Sequence, residues 1–359
     1  MRIEDIDYLE FYVGNAKQSA FYLSKLFGFN LVAYRGLETG DREVVSYVLK
    51  QGDITLVISS AYDEKHPIAM FVKKHGDNVG DIAFKVDDLD SCYEESIQQG
   101  AQKVSSPLII SDSDGDIKYA AINGFGDVIH TLIERRNYKG CFKPGYKVID
   151  SPVFPIKNVS GLYRIDHLAI CVESMNEWTN FYERIFGFKL QQEFKKDEIS
   201  SGNSSLMTKI LKNGTERVKV TFVEPAAGNK KSQIQEYMDY NNGPGVQHIA
   251  LSTDNIIHSI DTLTQQGNEF LYTPDSYYEL LLNRVGNIDE SLEELQRLKV
   301  LVDRDEEGYL LQIFGQPIQD RPTLFFEVIQ RKGSKGFGNG NIAALFEAVE
   351  REQAKRGNL

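Results

Sequence analysis

Residues 6–29 read IDYLEFYVGNAKQSAFYLSKLFGF, and residues 165–188 read IDHLAICVESMNEWTNFYERIFGF. The two stretches match position by position at a constant offset along the chain. Each begins with alternating apolar residues, which predicts a strand, and continues into an amphipathic helix. Each ends in Phe-Gly-Phe, where glycine suits the C-terminal end of a helix. A match of this length indicates an internal repeat.

Two further pairs of segments extend the repeat. Residues 80–101 and 247–268 each predict a strand, a helix and a glycine, and 128–136 matches 323–332 as a closing strand. This order of elements resembles the vicinal oxygen chelate superfamily of glyoxalase-like proteins. The resemblance implies an α+β fold of two tandem homologous halves, in which paired βαβββ modules form half-open barrels, with a metal held inside one of them.

A proline-rich segment separates the two halves. Residues 143–161 contain three prolines and read as a linker. We therefore predict a first domain over 1–150 and a second over 151–359. The second is longer because of an insertion at 275–300 and a tail, in which a helix is predicted over 340–356.

The composition excludes several classes of protein. No run reaches the ~20 apolar residues that span a bilayer, and the N-terminus lacks the basic region and apolar core of a signal peptide. A net charge of −12 repels a phosphate backbone, so nucleic acid is not an expected partner. The three cysteines are odd in number and widely spaced, which fits a reducing compartment. We expect a cytoplasmic protein.

Three residues of the second half occupy corresponding places in the repeated strands. His167 lies in the first strand, His248 in the equivalent strand of the next block, and Glu327 in the apolar closing strand. Burying a carboxylate in such a strand is costly unless it is paired or bound to a metal. Two histidines and one carboxylate form the facial triad of non-haem Fe(II) oxygenases. We predict an Fe(II) site at these three residues.

Each of these residues taken alone has a plainer explanation. A histidine in a strand more often packs in the core, and a glutamate can face solvent on an edge strand. The matched positions of the first half hold Tyr8, Asp81 and Thr131, which make a poor iron site. His130 is one position out of register and is predicted to point to the other face. We expect one active half and one degenerate half, which offers a surface for homo-oligomer formation.

Four long segments resemble the 4-hydroxyphenylpyruvate dioxygenase family. They are 231–250, 301–317, 320–331 and 336–359. The family binds Fe(II) through two histidines and one glutamate, which match the three residues predicted above. The resemblance implies a 2-oxo acid substrate, 4-hydroxyphenylpyruvate, which is oxidatively decarboxylated with O2.

The resemblance also implies a choice between two products. Dioxygenases of the family hydroxylate the ring and form homogentisate in tyrosine catabolism, whereas sister enzymes hydroxylate the benzylic carbon and form 4-hydroxymandelate, which commonly feeds peptide-antibiotic formation. This chain has Thr221 in place of a proline, Val223 in place of an asparagine that can hydrogen-bond, and Ile342 in place of a phenylalanine that can stack on the substrate. These departures resemble the 4-hydroxymandelate synthases, so we expect 4-hydroxymandelate. Neutral drift within a homogentisate-forming dioxygenase is the alternative.

Other pocket residues follow from the same resemblance. The polar and aromatic positions that match substrate-binding residues of the family are Ser204, Gln233, Gln312, Phe314, Phe325, Phe337 and Asn341. Surface amides, an exposed turn and ordinary core packing are the plainer explanations for several of them. Gln247 directly precedes His248, so strand alternation predicts that it points to the opposite face, and we expect it at most to support a ligand from behind.

The C-terminal tail predicts a lid. Four glycines between 333 and 340 predict a flexible segment. Ile342, Leu345, Phe346 and Val349 then fall at helical spacing and form an apolar stripe that must dock on something. In the family this helix closes over the iron pocket, so we expect a lid that excludes water.

Two rival functions fit the same modules. An extradiol dioxygenase would cleave catechols without a 2-oxo acid, but the long C-terminal resemblance argues against it. A non-catalytic binding protein of the superfamily usually lacks a complete set of metal ligands, whereas this chain has one in its second half.

Overall fold

Two sheets of identical strand order, one from each half, make up the molecule. The computed structural model describes residues 3–149, 160–194, 205–226, 231–279 and 281–357. Each sheet has eight strands. This confirms the predicted α+β fold of two tandem half-barrels. Across these residues the longest apolar helical stretches fall short of what a membrane-crossing helix needs.

The first half contributes eight strands and three α-helices. In chain order they are β1 (Ile3–Tyr12), α1 (Ala16–Phe27), β2 (Asn30–Arg35), β3 (Val44–Gln51), β4 (Ile54–Ala61), α2 (Pro67–His75), β5 (Asn78–Val86), α3 (Leu89–Gln98), β6 (Lys103–Asp112), β7 (Gly115–Asn123) and β8 (Ile129–Glu134). The order across the sheet is β2-β3-β4-β1-β5-β8-β7-β6. Within each module the first strand pairs in parallel with the last, and the antiparallel β1–β5 pair joins the modules.

The second half repeats this plan with additional helices. Its elements are β9 (Leu162–Cys171), α4 (Met175–Phe186), β10 (Lys189–Phe194), β11 (Ser205–Lys212), β12 (Lys219–Ala226), α5 (Gln233–Asn241), β13 (Gly245–Thr253), α6 (Ile256–Gln265), α7 (Ser276–Glu279), α8 (Leu281–Val285), α9 (Leu292–Leu298), β14 (Leu301–Arg304), β15 (Tyr309–Phe314), β16 (Phe325–Lys332) and α10 (Asn339–Lys355). Helices α7 to α9 form the predicted insertion. Helix α10 lies within one residue of the predicted tail helix at each end.

The repeated Phe-Gly-Phe motif ends a helix in each half, as predicted. Gly28 follows α1 with φ of +78°, and Gly187 follows α4 with φ of +68°. This left-handed conformation strains any residue with a Cβ, so glycine allows the chain to reverse direction here. The phenylalanines on both sides of each glycine are buried. The motif therefore both ends the helix and anchors the next strand in the core.

The two halves share one hydrophobic core. Phe84 of the first half packs against Phe186 of the second with ring centroids 5.2 Å apart. His130 is fully buried in this shared core, where a hydrogen bond of 2.8 Å joins its Nε2 to the Tyr182 hydroxyl. Burial lowers the pKa of His130 to about 3, so it is a neutral core residue. The sequence prediction that His130 faces away from the counterpart of the metal site is consistent with this position.

The segment predicted to link the halves begins inside the first half. Lys147 forms an isolated β-bridge with Tyr34, and the Lys143 ammonium lies 4.2 Å from the centre of the Tyr8 ring. Residues 150–159, which contain most of the rest of the predicted linker, lie outside the described residues. The boundary between 150 and 151 therefore stays a prediction, but residues 143–147 pack as part of the first half.

The first half fills the counterpart of the metal site with its own polar groups. Thr131 donates to the carboxylate of Asp81 through its backbone N, at 2.9 Å, and through Oγ1, at 2.6 Å. Lys143 Nζ donates to the Tyr8 hydroxyl at 2.7 Å. The Lys143 ammonium thus occupies, in the first half, the position that corresponds to the candidate metal site of the second half.

Asp81→Asn is expected to reduce the pH dependence of stability. Burial, followed by the negative charge of Glu10, raises the pKa of Asp81 from 3.8 to about 7. The folded protein therefore binds this proton more tightly than the unfolded chain. The stability it contributes is complete below pH 3.8 and is lost as the pH rises through about 7. Thermal unfolding followed by circular dichroism should show the wild type losing a few degrees of Tm relative to the variant between about pH 4 and pH 7.

The exposed Glu64→Gln variant is the control for this measurement, and its pH dependence should match that of the wild type. A constant difference in Tm between wild type and Asp81→Asn across this range would contradict the prediction.

Candidate metal centre

The structure brings His167, His248 and Glu327 together on three neighbouring strands. They lie on β9, β13 and β16, which are adjacent in the second sheet. The Nε2 atoms of both histidines lie 3.4 Å from Glu327 Oε2. All three side chains are buried, and their potential ligand atoms lie within 4.8 Å of one another. Three residues far apart in sequence thus offer donor atoms to a single point.

A β-bulge places Gln247 beside His248 rather than opposite to it. The pairing of β13 with β9 shifts register between Val246 and His248. Gln247 Oε1 lies 3.2 Å from His248 Nδ1, where it can accept the proton of that ring nitrogen. The prediction that Gln247 points to the opposite face is therefore wrong, because strict alternation fails where a bulge inserts one extra residue.

Asp166 orients the other histidine. Its Oδ1 lies 2.9 Å from His167 Nδ1, which leaves Nε2 to face Glu327. Burial alone would raise the pKa of Asp166, but the charge and hydrogen bonds of Arg331 hold the pKa of this carboxyl well below its usual range. Sequence analysis missed Asp166. The available signal was an acidic residue directly before the candidate ligand, in a strand rich in apolar residues.

A chain of amide groups orients Glu327. Gln312 Nε2 donates to Glu327 Oε1 at 3.0 Å, and Asn341 Nδ2 donates to Gln312 Oε1 at 3.1 Å. Tyr277 in turn donates its hydroxyl proton to Asn341 Oδ1 at 2.8 Å. Gln312 and Asn341, both predicted to bind substrate, therefore also support the carboxylate. Tyr277 belongs to the insertion, and the sequence carried no signal for its role.

The donor set fits a divalent transition metal. Imidazole and carboxylate together suit iron, and both Nδ1 atoms are occupied by partners that direct Nε2 inwards. Burial, followed by the charge of His167, lowers the pKa of His248 well below its usual value. A metal ligand must be a neutral imidazole, and this environment favours that form at His248. At His167 burial lowers the pKa, but the charge of Glu327 and the hydrogen bonds to Asp166 and Glu327 together outweigh burial and raise it. His167, His248 and Glu327 are the residues that would hold the ion.

An apolar cavity opens directly from the cluster. The predicted substrate residues in its walls are Thr221, Val223, Gln233, Gln312, Phe314, Phe325, Phe337 and Ile342. Sequence analysis missed four further wall residues: Thr208, Ile210, Ile234 and Gln247. Asn341 is fully buried behind the wall instead of lining it. Ser204 lies outside the described residues.

The cavity walls combine aromatic faces with few polar groups. Phe325 stacks on the His248 ring at 5.0 Å, and Phe337 packs edge-on to the His167 ring at 4.9 Å. Thr221 Oγ1 is buried and has no hydrogen-bond partner within the described part of the chain. A buried hydroxyl without a partner is costly. It is therefore available to a polar group of a ligand in the cavity.

Helix α10 covers this cavity with the predicted apolar stripe. Ile342 and Leu345 line the cavity, and Phe346 is buried in a cluster with Val223 and Phe337. At the far end of the helix, Arg356 donates two hydrogen bonds to the buried Glu236 carboxylate, at 3.1 and 2.5 Å. The structure confirms that the stripe docks. The helix occupies the position expected of a lid.

The two half-barrels and the buried cluster of two histidines and one glutamate define a protein of the vicinal oxygen chelate class. Two family models match the chain. One, described as "Glyoxalase/Bleomycin resistance protein/Dioxygenase superfamily", covers residues 164–313. The other, described as "Hydroxyphenylpyruvate dioxygenase, HPPD, N-terminal", covers residues 1–151.

Comparison with individual relatives identifies the family within this class. The chain is 42% identical to the 4-hydroxyphenylpyruvate dioxygenase of Yarrowia lipolytica and 44% identical to that of Danio rerio, over 98% of this chain and 93% and 91% of those relatives. A solved structure of a mutant 4-hydroxymandelate synthase from Streptomyces coelicolor matches with a TM-score of 0.88 at 35% identity, over 98% of this chain and 100% of that one. The chain therefore belongs to the 4-hydroxyphenylpyruvate dioxygenase family, whose members are metal-dependent dioxygenases.

Proposed function

We propose that this protein uses Fe(II), held by His167, His248 and Glu327, and O2 to decarboxylate 4-hydroxyphenylpyruvate oxidatively. The observation that carries the proposal is the buried cluster of these three donors at the base of an apolar cavity. When bound, the iron would supply the redox chemistry with O2 that no side chain can supply. Family membership favours this reaction over both catechol cleavage and mere ligand binding.

The chain's own residues orient the substrate and keep water out. The walls formed by Phe314 and Phe325 suit the aromatic ring of a 4-hydroxyphenyl group. Gln233 and the Thr221 hydroxyl, which has no partner among the described residues, provide polar contacts in the same cavity. Closure by α10 limits the access of water to the cavity. Water there would otherwise compete with hydroxylation of the decarboxylated substrate.

The product depends on which substrate carbon the walls bring to the reacting centre. The names of the relatives support homogentisate better than the 4-hydroxymandelate expected from the sequence. The walls favour the opposite outcome, because Val223 offers no hydrogen bond and Ile342 offers no aromatic face to hold the ring. We propose 4-hydroxymandelate as the product, because the residues of the cavity walls decide which substrate carbon is hydroxylated. Homogentisate is the second candidate.

Product analysis tests both candidates. The protein is loaded with Fe(II) under anaerobic conditions and mixed with 4-hydroxyphenylpyruvate, ascorbate and oxygenated buffer, and the products are separated by chromatography. 4-Hydroxymandelate with equimolar CO2 supports the full proposal. Homogentisate overturns the proposed product and retains the decarboxylation. Absence of both products from iron-loaded protein overturns the reaction, and a parallel assay with catechol tests the ring-cleaving rival.

In protein saturated with Fe(II), deleting residues 339–359 is expected to uncouple decarboxylation from hydroxylation. The deletion removes α10 but keeps Phe337, which packs on His167. Without the lid, water reaches the open site after CO2 has left. The ratio of hydroxylated product to CO2 should fall below one-to-one. An unchanged ratio would contradict the lid, and an Arg351→Gln variant of the full chain is the control.

We also propose that the protein is cytoplasmic, because its three cysteines are free thiols.

We further propose that the protein self-associates through its first half. Strand β6 forms one edge of the first sheet and exposes Leu108 by 51% and Ile109 by 60%. An apolar edge strand is a template for pairing with a second copy. Ile109→Lys is expected to shift the mass measured by light scattering to that of a monomer, whereas Ile97→Lys, on a helix, should not.

A further inference from the structure

Arg331 connects two parts of the second half. It lies four residues beyond Glu327, in β16. Its Nε and Nη2 each donate to Asp166 at 2.8 Å, and Asp166 accepts from His167 Nδ1. Its Nη1 donates to the carbonyl of Gly336 at 2.6 Å. One guanidinium thus joins the carboxylate that orients a candidate ligand to the segment that leads into α10.

Residues 333–338, here termed the strap, are held tightly rather than left flexible as the glycines predicted. Asp305 Oδ2 accepts from Ser334 Oγ at 2.5 Å and from the backbone N of Gly336 at 2.8 Å. A Cβ on residue 336 would lie 2.9 Å from that same oxygen, so glycine is required for the close approach. The strap therefore has one defined position between Asp305 and Arg331.

The strap places Phe337 against the candidate metal ligand. The Phe337 ring lies 5.3 Å from the Arg331 guanidinium on one side and 4.9 Å from the His167 ring on the other. Phe337 is buried, so the contact with His167 is part of the closed site. Movement of the strap would remove both the Gly336 acceptor and this aromatic contact.

The described part of the first half contains the same arrangement without a cluster of candidate metal ligands. Arg135 Nε lies 2.9 and 2.8 Å from the two oxygens of Asp7, which precedes Tyr8 as Asp166 precedes His167. Arg135 also donates to the carbonyl of Phe142 and lies 5.0 Å from its ring, which packs edge-on to Tyr8 at 5.4 Å. In this half the next residue, Lys143, fills the site. Both halves therefore use an arginine to close a following segment over the sheet.

We infer that Arg331 is a positioning residue that couples the closed strap and α10 to the orientation of His167. The inference rests on the proposed function, since it takes His167 as a metal ligand. Asp166 and the Gly336 carbonyl both fix the position of the Arg331 guanidinium. Loss of the hydrogen bond to one of them therefore weakens the hydrogen bond to the other. Coupling between two sites is reciprocal. Binding of a metal should therefore favour closed α10, and loosening the strap should weaken metal binding.

Arg331→Lys tests the coupling, because lysine keeps the charge but lacks the fork that binds two partners at once. The probe is Co(II) alone, without substrate. Affinity is measured by the visible absorbance of bound Co(II), and closure by amide hydrogen exchange of residues 339–355. In the wild type Co(II) should slow this exchange. In the variant, affinity should fall by about 10–100-fold, and saturating Co(II) should no longer slow exchange.

Arg135→Lys is the matched control, because it makes the same change to the same arrangement in the half without the cluster. It should leave Co(II) affinity and the Co(II)-dependent slowing of exchange unchanged. Arg331→Lys protein that binds Co(II) weakly but keeps the wild-type slowing of exchange would overturn the coupling.

Asp305→Asn provides a second test that changes neither a hydrogen-bond partner of Arg331 nor a residue of the cluster. It loosens the strap from the other side, so reciprocity predicts weaker Co(II) binding, by a factor of about 5 or more. Faster exchange of α10 with unchanged Co(II) affinity would overturn the inference. Wild-type protein that binds no Co(II) would overturn the proposed function first, and the inference with it, before any variant is compared.

Discussion

Glu327→Gln is expected to lower turnover of 4-hydroxyphenylpyruvate by more than about a hundred-fold, because loss of outer partners of metal ligands alone costs factors of about 10–100. The amide is neutral and binds a divalent cation far more weakly than a carboxylate. It can still accept the hydrogen bond from Gln312, so the local geometry is retained. Steady-state turnover and iron content per chain are the measurements.

The stability of the same variant distinguishes a ligand from a structural residue. The Glu327 carboxylate is buried between two histidines. A buried charge held for a metal is costly in its absence, so metal-free Glu327→Gln protein should unfold at the wild-type Tm or above it. Added Fe(II) should raise the Tm of the wild type only. Glu134→Gln, in the closing strand of the first half, is the control, and wild-type turnover in Glu327→Gln would contradict the metal assignment.

Val223→Asn combined with Ile342→Phe is expected to change the ratio of 4-hydroxymandelate to homogentisate by more than tenfold towards homogentisate. Both residues line the cavity and pack in the same cluster. The asparagine adds a hydrogen-bonding group, and the phenylalanine adds an aromatic face for the substrate ring. A tenfold change in ratio needs only about 1.4 kcal/mol of differential stabilisation, which a single aromatic contact can supply. Chromatography of the products measures the ratio.

Val223→Ile is the matched control for the product switch, because it changes the volume of the wall without adding a polar group. It should change turnover more than the product ratio. The asparagine is buried near Ile210 and Phe346, so the double variant should lose about 1–3 kcal/mol of stability, which a Tm measurement checks. An unchanged product ratio in a folded, active double variant would show that other residues select the product.

The repeat in the sequence predicted two halves with the same order of elements, and the resemblance to the superfamily implied the half-barrels. Two segments that match over more than twenty residues must form similar structures, and the alternation in each predicted its first strand. Because the same strand positions recur in each block, the sequence also predicted that His167, His248 and Glu327 would meet. The structure places their ligand atoms within 4.8 Å. Their role as metal ligands stays a prediction for the experiments above.

Where the prediction depended on ideal local geometry, it was less accurate. Gln247 lies beside His248 because a bulge interrupts the alternation of β13. Gly336 of the strap serves a close approach to Asp305 instead of flexibility. In both places the conformation depends on a neighbouring chain segment, and nothing in the local sequence shows which neighbour is present.

The sequence by itself determined the number of halves, the order of elements and the strand faces that carry the candidate ligands, because these depend on the internal repeat and on short-range periodicity. Only the tertiary structure decided which groups, distant in the sequence, orient the candidate ligands. Arg331 meets Asp166 across 165 positions of the chain, and Tyr277 meets Asn341 across 64. Such contacts depend on strand pairing, register and the path of an insertion, and these are set by the packing of the whole chain.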